Sequence, residues 1–132
     1  MKNDIRPIGV FDSGLGGLTT VSELRRTMPG ENIVYFGDTG RVPYGTRSRE
    51  IVRKYARQDI RFLLSRGVKM IIAACNTASA SILPEDVRSL AVPFVEVLHP
   101  AVEVAAAATR NGKIGLIATP STIRSGAYER AM

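Results

Sequence analysis

Residues 69–81 read KMIIAACNTASAS. Ile71, Ile72, Ala73 and Ala74 are apolar without alternation, as in a strand covered by helices on both faces. Such strands occur in parallel sheets, so this run predicts the middle of an α/β domain. Four other short apolar runs fit the same plan: IGVF (8–11), NIVYF (32–36), PFVEVL (93–98) and KIGLIA (113–118). The stretches between them have helical character, and strands alternating with helices imply a parallel sheet. Thr19 or Thr20 is placed to begin the first helix, Thr46 or Ser48 the second, and Thr77 or Ser79 the third. Pro29-Gly30 and Gly67 close the first two. Pro84 breaks the third connection into two short helices.

The totals agree with one folded unit. The chain has 132 residues, 45% hydrophobic and 23% charged, which suits a single core without disorder-prone composition. The apolar runs are too short to cross a membrane, and the opening MKNDIRPIGVFD is not a signal peptide, so the expectation is a cytoplasmic protein with no membrane partner. One cysteine and one histidine, His99, cannot supply a tetrahedral zinc site alone, and no metal is expected. The net charge of +6 is concentrated between Arg47 and Arg66. Val52, Tyr55, Ala56, Phe62 and Leu63 recur among those charges at helical intervals. The basic residues therefore read as the wet side of an amphipathic helix, not as a nucleic-acid surface.

In an open parallel sheet, ligands bind beyond the carboxyl ends of the strands. The residues that follow the runs are Asp12, Ser13 and Gly14; Gly37, Asp38 and Thr39; Cys75, Asn76 and Thr77; then Thr119, Pro120, Ser121 and Thr122. Small hydroxyl and amide groups thus gather at one edge, suited to a small polar ligand. The turn FDSGLGG has neither the GxGxxG of a dinucleotide site nor the GK[ST] of a P-loop. Cys75 follows a buried strand and precedes a helix, where unpaired N–H groups favour a thiolate. Buried filler is an equally good reading of a lone cysteine from position alone. No arginine follows it to bind phosphate, and the only histidine that could act as its base is His99.

Four segments, VFDSGLGGLTTVSELRRTMP, YFGDTGRVPYGTRS, IIAACNTASA and KIGLIATPSTIRSGAY, resemble in order and spacing the N-terminal half of glutamate racemases, in the aspartate/glutamate racemase superfamily. The resemblance implies an α/β fold, an open, mostly parallel sheet of about five strands flanked by helices in a flavodoxin-like three-layer lobe. It implies that residues 1–132 form one lobe of a two-lobed enzyme whose C-terminal lobe is absent. The implied reaction is interconversion of L- and D-glutamate without a cofactor, supplying D-glutamate for peptidoglycan. Two cysteines act as acid and base on opposite faces of the α-carbon, and a full-length homo-oligomer is implied.

By the same resemblance Cys75 is the thiol that deprotonates the D-isomer, with Asp12 ordering proton traffic beside it. Asp12, Ser13, Pro43, Tyr44, Gly45, Asn76, Thr77, Thr119 and Thr122 are the implied substrate contacts. Ala118 and Ser121 replace glycines of the family pattern, and no role carries over from the family to His99. A lobe with one thiol is expected to be inactive alone and to expose apolar surface where its partner lobe would sit. The alternatives are a truncated lobe that binds without catalysing, or a racemase for aspartate or a related acid; VPYG and GGLTT favour glutamate.

Overall fold

The computed structural model describes residues 4–132. Four strands form one wholly parallel sheet: β1 (Ile8–Asp12), β2 (Ile33–Gly37), β3 (Met70–Ala73) and β4 (Phe94–Glu96), in spatial order β2-β1-β3-β4. The register sets Ile8 opposite Ile33 and Met70, and Ile71 opposite Phe94. The strand read from residues 69–74 thus lies inside the sheet, with Ile71, Ile72 and Ala73 buried.

Helices cover both faces. Helix α1 (Leu18–Thr27) lies on one, where Val21 and Leu24 pack against Ile8, Val10 and Ile72. On the other, α2 (Arg49–Ser65) buries Val52, Ala56, Ile60 and Leu63 against Phe11 and Ile71. Its Lys54, Arg57 and Arg61 are exposed, which is the amphipathic arrangement expected from their spacing. Ser48 caps this helix by accepting from the Ile51 N–H. Gly67 follows its end at φ +68°, a conformation glycine adopts without steric cost.

Short helices complete the layer: α3 (Asn76–Ser81), α4 (Pro84–Val87), α5 (Leu98–Ala108), α6 (Pro120–Ser125) and α7 (Ala127–Ala131). Ala80, Leu98, Val102 and Tyr128 join α3, α5 and α7 in a second small core. No helix among the described residues is long and apolar enough to cross a membrane.

Three expectations need correction. The sheet has four strands among the described residues, not about five, because residues 113–118 form no regular structure and pair with no strand. A strand is stable only when its N–H and C=O groups find a ladder. Here none is offered, and Ile114, Leu116 and Ile117 lie exposed, Ile117 completely. Helix α1 starts at Leu18 with Gly17 as its cap, since the Thr19 hydroxyl donates to the Gly16 carbonyl. Helix α3 starts one step after the cysteine, with Cys75 itself as cap in place of Thr77 or Ser79.

Candidate active site

The carboxyl ends of β1 and β3 lie side by side, so the residues that leave them meet. Asp12 ends β1 and its Oδ2 accepts from the N–H groups of Gly14 (3.2 Å) and Gly17 (3.0 Å). That carboxylate folds the GLGG turn back on the strand end. Gly17 is needed there: a Cβ on it would sit 2.7 Å from Asp12 Cβ. Tyr35 on β2 donates to the Gly14 carbonyl at 2.7 Å and holds the turn from the other side. Gly37 passes so close that a Cβ would meet the Gly14 oxygen at 2.4 Å.

Cys75 emerges from β3 next to this turn. Its Sγ lies 3.6 Å from Ser13 Oγ, to which the thiol donates, and accepts from the Ala78 N–H at 3.4 Å. The side chain is almost wholly buried. Burial pushes its pKa up and the Asp12 carboxylate adds to the rise, against the hydrogen bonding it finds at Ala78 and Ser13. A helix-start location alone suggests a lowered thiol pKa; here desolvation outweighs the N–H groups of a helix only six residues long.

A third group of side chains arrives from residues 76–77 and 119–122. Thr77 Oγ1 is 2.9 Å from Thr119 Oγ1, which is 3.0 Å from Thr122 Oγ1. Asn76 Oδ1 accepts from the Tyr128 hydroxyl at 2.6 Å. The result is an open crevice of about 500 Å³, lined by Asp12, Ser13, Cys75, Asn76, Thr77 and Thr119 among others. Six of the residues picked out in the sequence therefore share one cavity.

Four do not line it. Thr122 is buried behind Thr119. Pro43, which follows a cis peptide bond, is exposed. Gly45 touches the crevice wall from outside: its carbonyl accepts from the Ser121 N–H at 2.9 Å, and a Cβ on it would lie 2.6 Å from Thr119 Cβ. The Tyr44 side chain points inward, buried, with its hydroxyl bonded to Asp38 and, at 2.9 Å, to Asp59.

That inward phenol belongs to a network the sequence did not reveal. Arg41 pairs with Asp38 at 2.6 Å and with Asp59 at 2.9 Å, so two buried carboxylates, one guanidinium and one phenol lock residues 38–44 onto α2. The Asp59 pKa is raised to about 6 by burial first, with the Asp38 charge adding to it, against the hydrogen bond from Tyr44 and the charge and hydrogen bond of Arg41. Asp59 sits on the buried face of α2 with Ala56, Ile60 and Leu63. A carboxylate at a core-facing helical position was the available signal. His99 is outside the crevice, exposed and paired through Nδ1 with Glu96.

The family model described as "Asp/Glu/Hydantoin racemase" matches residues 18–132. The chain belongs to that family. Curated racemases of the same group are close in sequence: the glutamate racemase of Geobacter metallireducens is 48% identical over 127 residues, 96% of this chain and 47% of that protein. The Thermus thermophilus glutamate racemase is 52% identical over 130 residues, 98% of this chain and 49% of that protein. The chain spans about half the length of the curated relatives it matches. Among solved structures, Thermus thermophilus glutamate racemase in complex with beta-chloro-D-alanine superposes with a TM-score of 0.90 at 50% identity, over 98% of this chain and 50% of that one. Francisella tularensis glutamate racemase in complex with D-glutamate gives 0.88 at 46% identity, over 96% and 48%. The racemase family fold is therefore this parallel α/β sheet flanked by helices.

Proposed function

We propose that residues 1–132 are the N-terminal lobe of a glutamate racemase that works without a cofactor, and that Cys75 is one of its two acid/base thiols. The observation that carries the reading is Cys75 at the crevice between the Asp12 turn and the threonine cluster, with Ser13 at 3.6 Å. The Francisella tularensis neighbour bound to D-glutamate supports the choice of substrate.

An amino acid α-proton is very weakly acidic, and its removal builds negative charge on the carboxylate. Donors fixed in a water-poor site stabilise that charge. In this reading the hydroxyls of Ser13, Thr77 and Thr119 and the amide of Asn76 hold the amino acid's polar groups. Pro43, Tyr44 and Gly45 act through their backbone, as the wall behind Thr119, and Thr122 orients the Thr119 hydroxyl.

Cys75 as thiolate takes the α-proton from one face and, as thiol, returns one to that face. Its raised pKa makes the thiolate scarce but a stronger base, which suits so weak an acid. Asp12 adjusts that balance through its charge. The second thiol, which protonates the opposite face, comes from the remaining half of the polypeptide. A reducing, cytoplasmic compartment keeps the lone thiol free. The product D-glutamate then enters peptidoglycan synthesis.

The test is chiral chromatography after incubation with L- or D-glutamate, using the chain alone and mixed with the C-terminal half of a relative. Racemisation only in the mixture is expected. Racemisation by the chain alone contradicts the two-thiol reading, and none in either sample contradicts the enzymatic one.

A further inference from the structure

Away from the Cys75 crevice, a second cavity of about 180 Å³ opens between the start of α2 and α6. Three guanidinium groups line it, from Arg47, Arg49 and Arg124, and no carboxylate does. Arg49 is oriented by its Nε donating to the Ser81 carbonyl at 3.2 Å. Arg47 and Arg124 pair with no acidic side chain among the described residues. That sets them apart from Arg41 and Arg53, whose charges are matched by buried aspartates. The nearest acid in sequence, Glu50, is outside the cavity lining.

One further group points to a ligand. Ser121 is 93% buried, since only 7% of it is exposed, and it lines this cavity. Its backbone N–H is used by Gly45, while its hydroxyl takes no part in the side-chain bonds made around it by Thr119, Thr122 and Ser125. No side-chain oxygen cut off from solvent lacks a partner among the described residues, so this hydroxyl opens to the cavity, where an occupant could accept its proton. An oxyanion in the cavity would do so while neutralising the guanidinium groups, whose planar forks match phosphate oxygens.

We propose that the Arg47–Arg49–Arg124–Ser121 cavity is a binding site for a phosphate-type oxyanion. It is separate from the proposed racemase site, and its occupancy does not depend on that reading. The anion bridges α2 to α6, and through the Ser121–Gly45 hydrogen bond it braces the wall of the Cys75 crevice.

The experiment is isothermal titration calorimetry of the chain at fixed ionic strength, with chloride as the balancing anion. Inorganic phosphate and a sugar phosphate form separate arms. Saturable one-to-one binding is expected; a tighter sugar phosphate identifies an ester as the natural source, and equal or tighter inorganic phosphate identifies the free ion. Arg47→Ala or Arg124→Ala should each weaken binding by about tenfold to a hundredfold, the loss of a charge-assisted contact. Ser121→Ala should weaken it about fivefold, the loss of one neutral hydrogen bond. Arg124→Lys, which retains charge and lacks the fork, guards against an unfolded variant and should also bind more weakly than the parent. Lys54→Ala, on the outer face of α2, should bind as the parent does. Absence of saturable binding, or equal weakening by Lys54→Ala, overturns the proposal, the latter because it marks diffuse attraction to the net charge of +6.

Discussion

The buried pair of Asp59 and Arg41 should destabilise the folded chain at neutral pH, although its atoms are only 2.9 Å apart. Asp59 is fully buried and its pKa rises from 3.8 to about 6, because removing the carboxylate from water costs more than Arg41 and Tyr44 return. Below pH 3.8 both folded and unfolded chains hold this proton, and the group contributes nothing. Between 3.8 and about 6 the folded chain retains a proton that the unfolded chain has released, so stability falls as pH rises. Above about 6 both have ionised and the full penalty remains.

The shift of about 2 pH units corresponds to about 3 kcal/mol. Asparagine imitates the neutral acid. The stability of Asp59→Asn minus that of the parent should therefore rise by about 2 kcal/mol from pH 4 to pH 7, the rest having developed below pH 4, read from urea unfolding by circular dichroism. Taking the difference removes the opposite trend of Asp86, whose pKa is held low by Arg53 and the Leu83 N–H despite burial. A difference that falls toward pH 7 would refute the reasoning, because it would mean that Arg41 stabilises the carboxylate by more than burial costs.

Gly45→Ala should lower stability by about 1–3 kcal/mol, since the new methyl would lie 2.6 Å from Thr119 Cβ and Cγ2 and force the loop off α6. Gly40→Ala, with nothing within 4 Å, should stay within about 0.5 kcal/mol, and the two unfolding midpoints check this. Ile117→Lys should leave stability within about 0.5 kcal/mol because the side chain is wholly exposed. The same change should reduce self-association in sedimentation velocity, by adding charge to the apolar face of Ile114, Leu116 and Ile117.

Much of this was legible in the chain because local and global signals agreed. The unbroken apolar run before Cys75 marked an interior strand, and the spacing of Val52, Ala56 and Leu63 marked the buried side of α2. Where they disagreed, tertiary context decided. Residues 113–118 have a strand's composition and no neighbour to pair with, so they form no strand and 113–117 remain exposed. The six crevice residues could be found because each lies at the end of a strand or at the start of a helix. The inward turn of Tyr44 could not, since it depends on Asp38, Arg41 and Asp59 meeting across 21 residues of chain. The direction of the Cys75 pKa was equally hidden, because helix start and burial oppose each other and only the depth of the thiol decides between them.

Proton exchange between Cys75 and the α-carbon of glutamate, as proposed, is read from the α-proton NMR signal of D-glutamate in deuterium oxide, with the chain reconstituted with the C-terminal half of a relative. The signal should decay with the parent chain and persist with Cys75→Ser. Decay at the parental rate with Cys75→Ser would contradict the account.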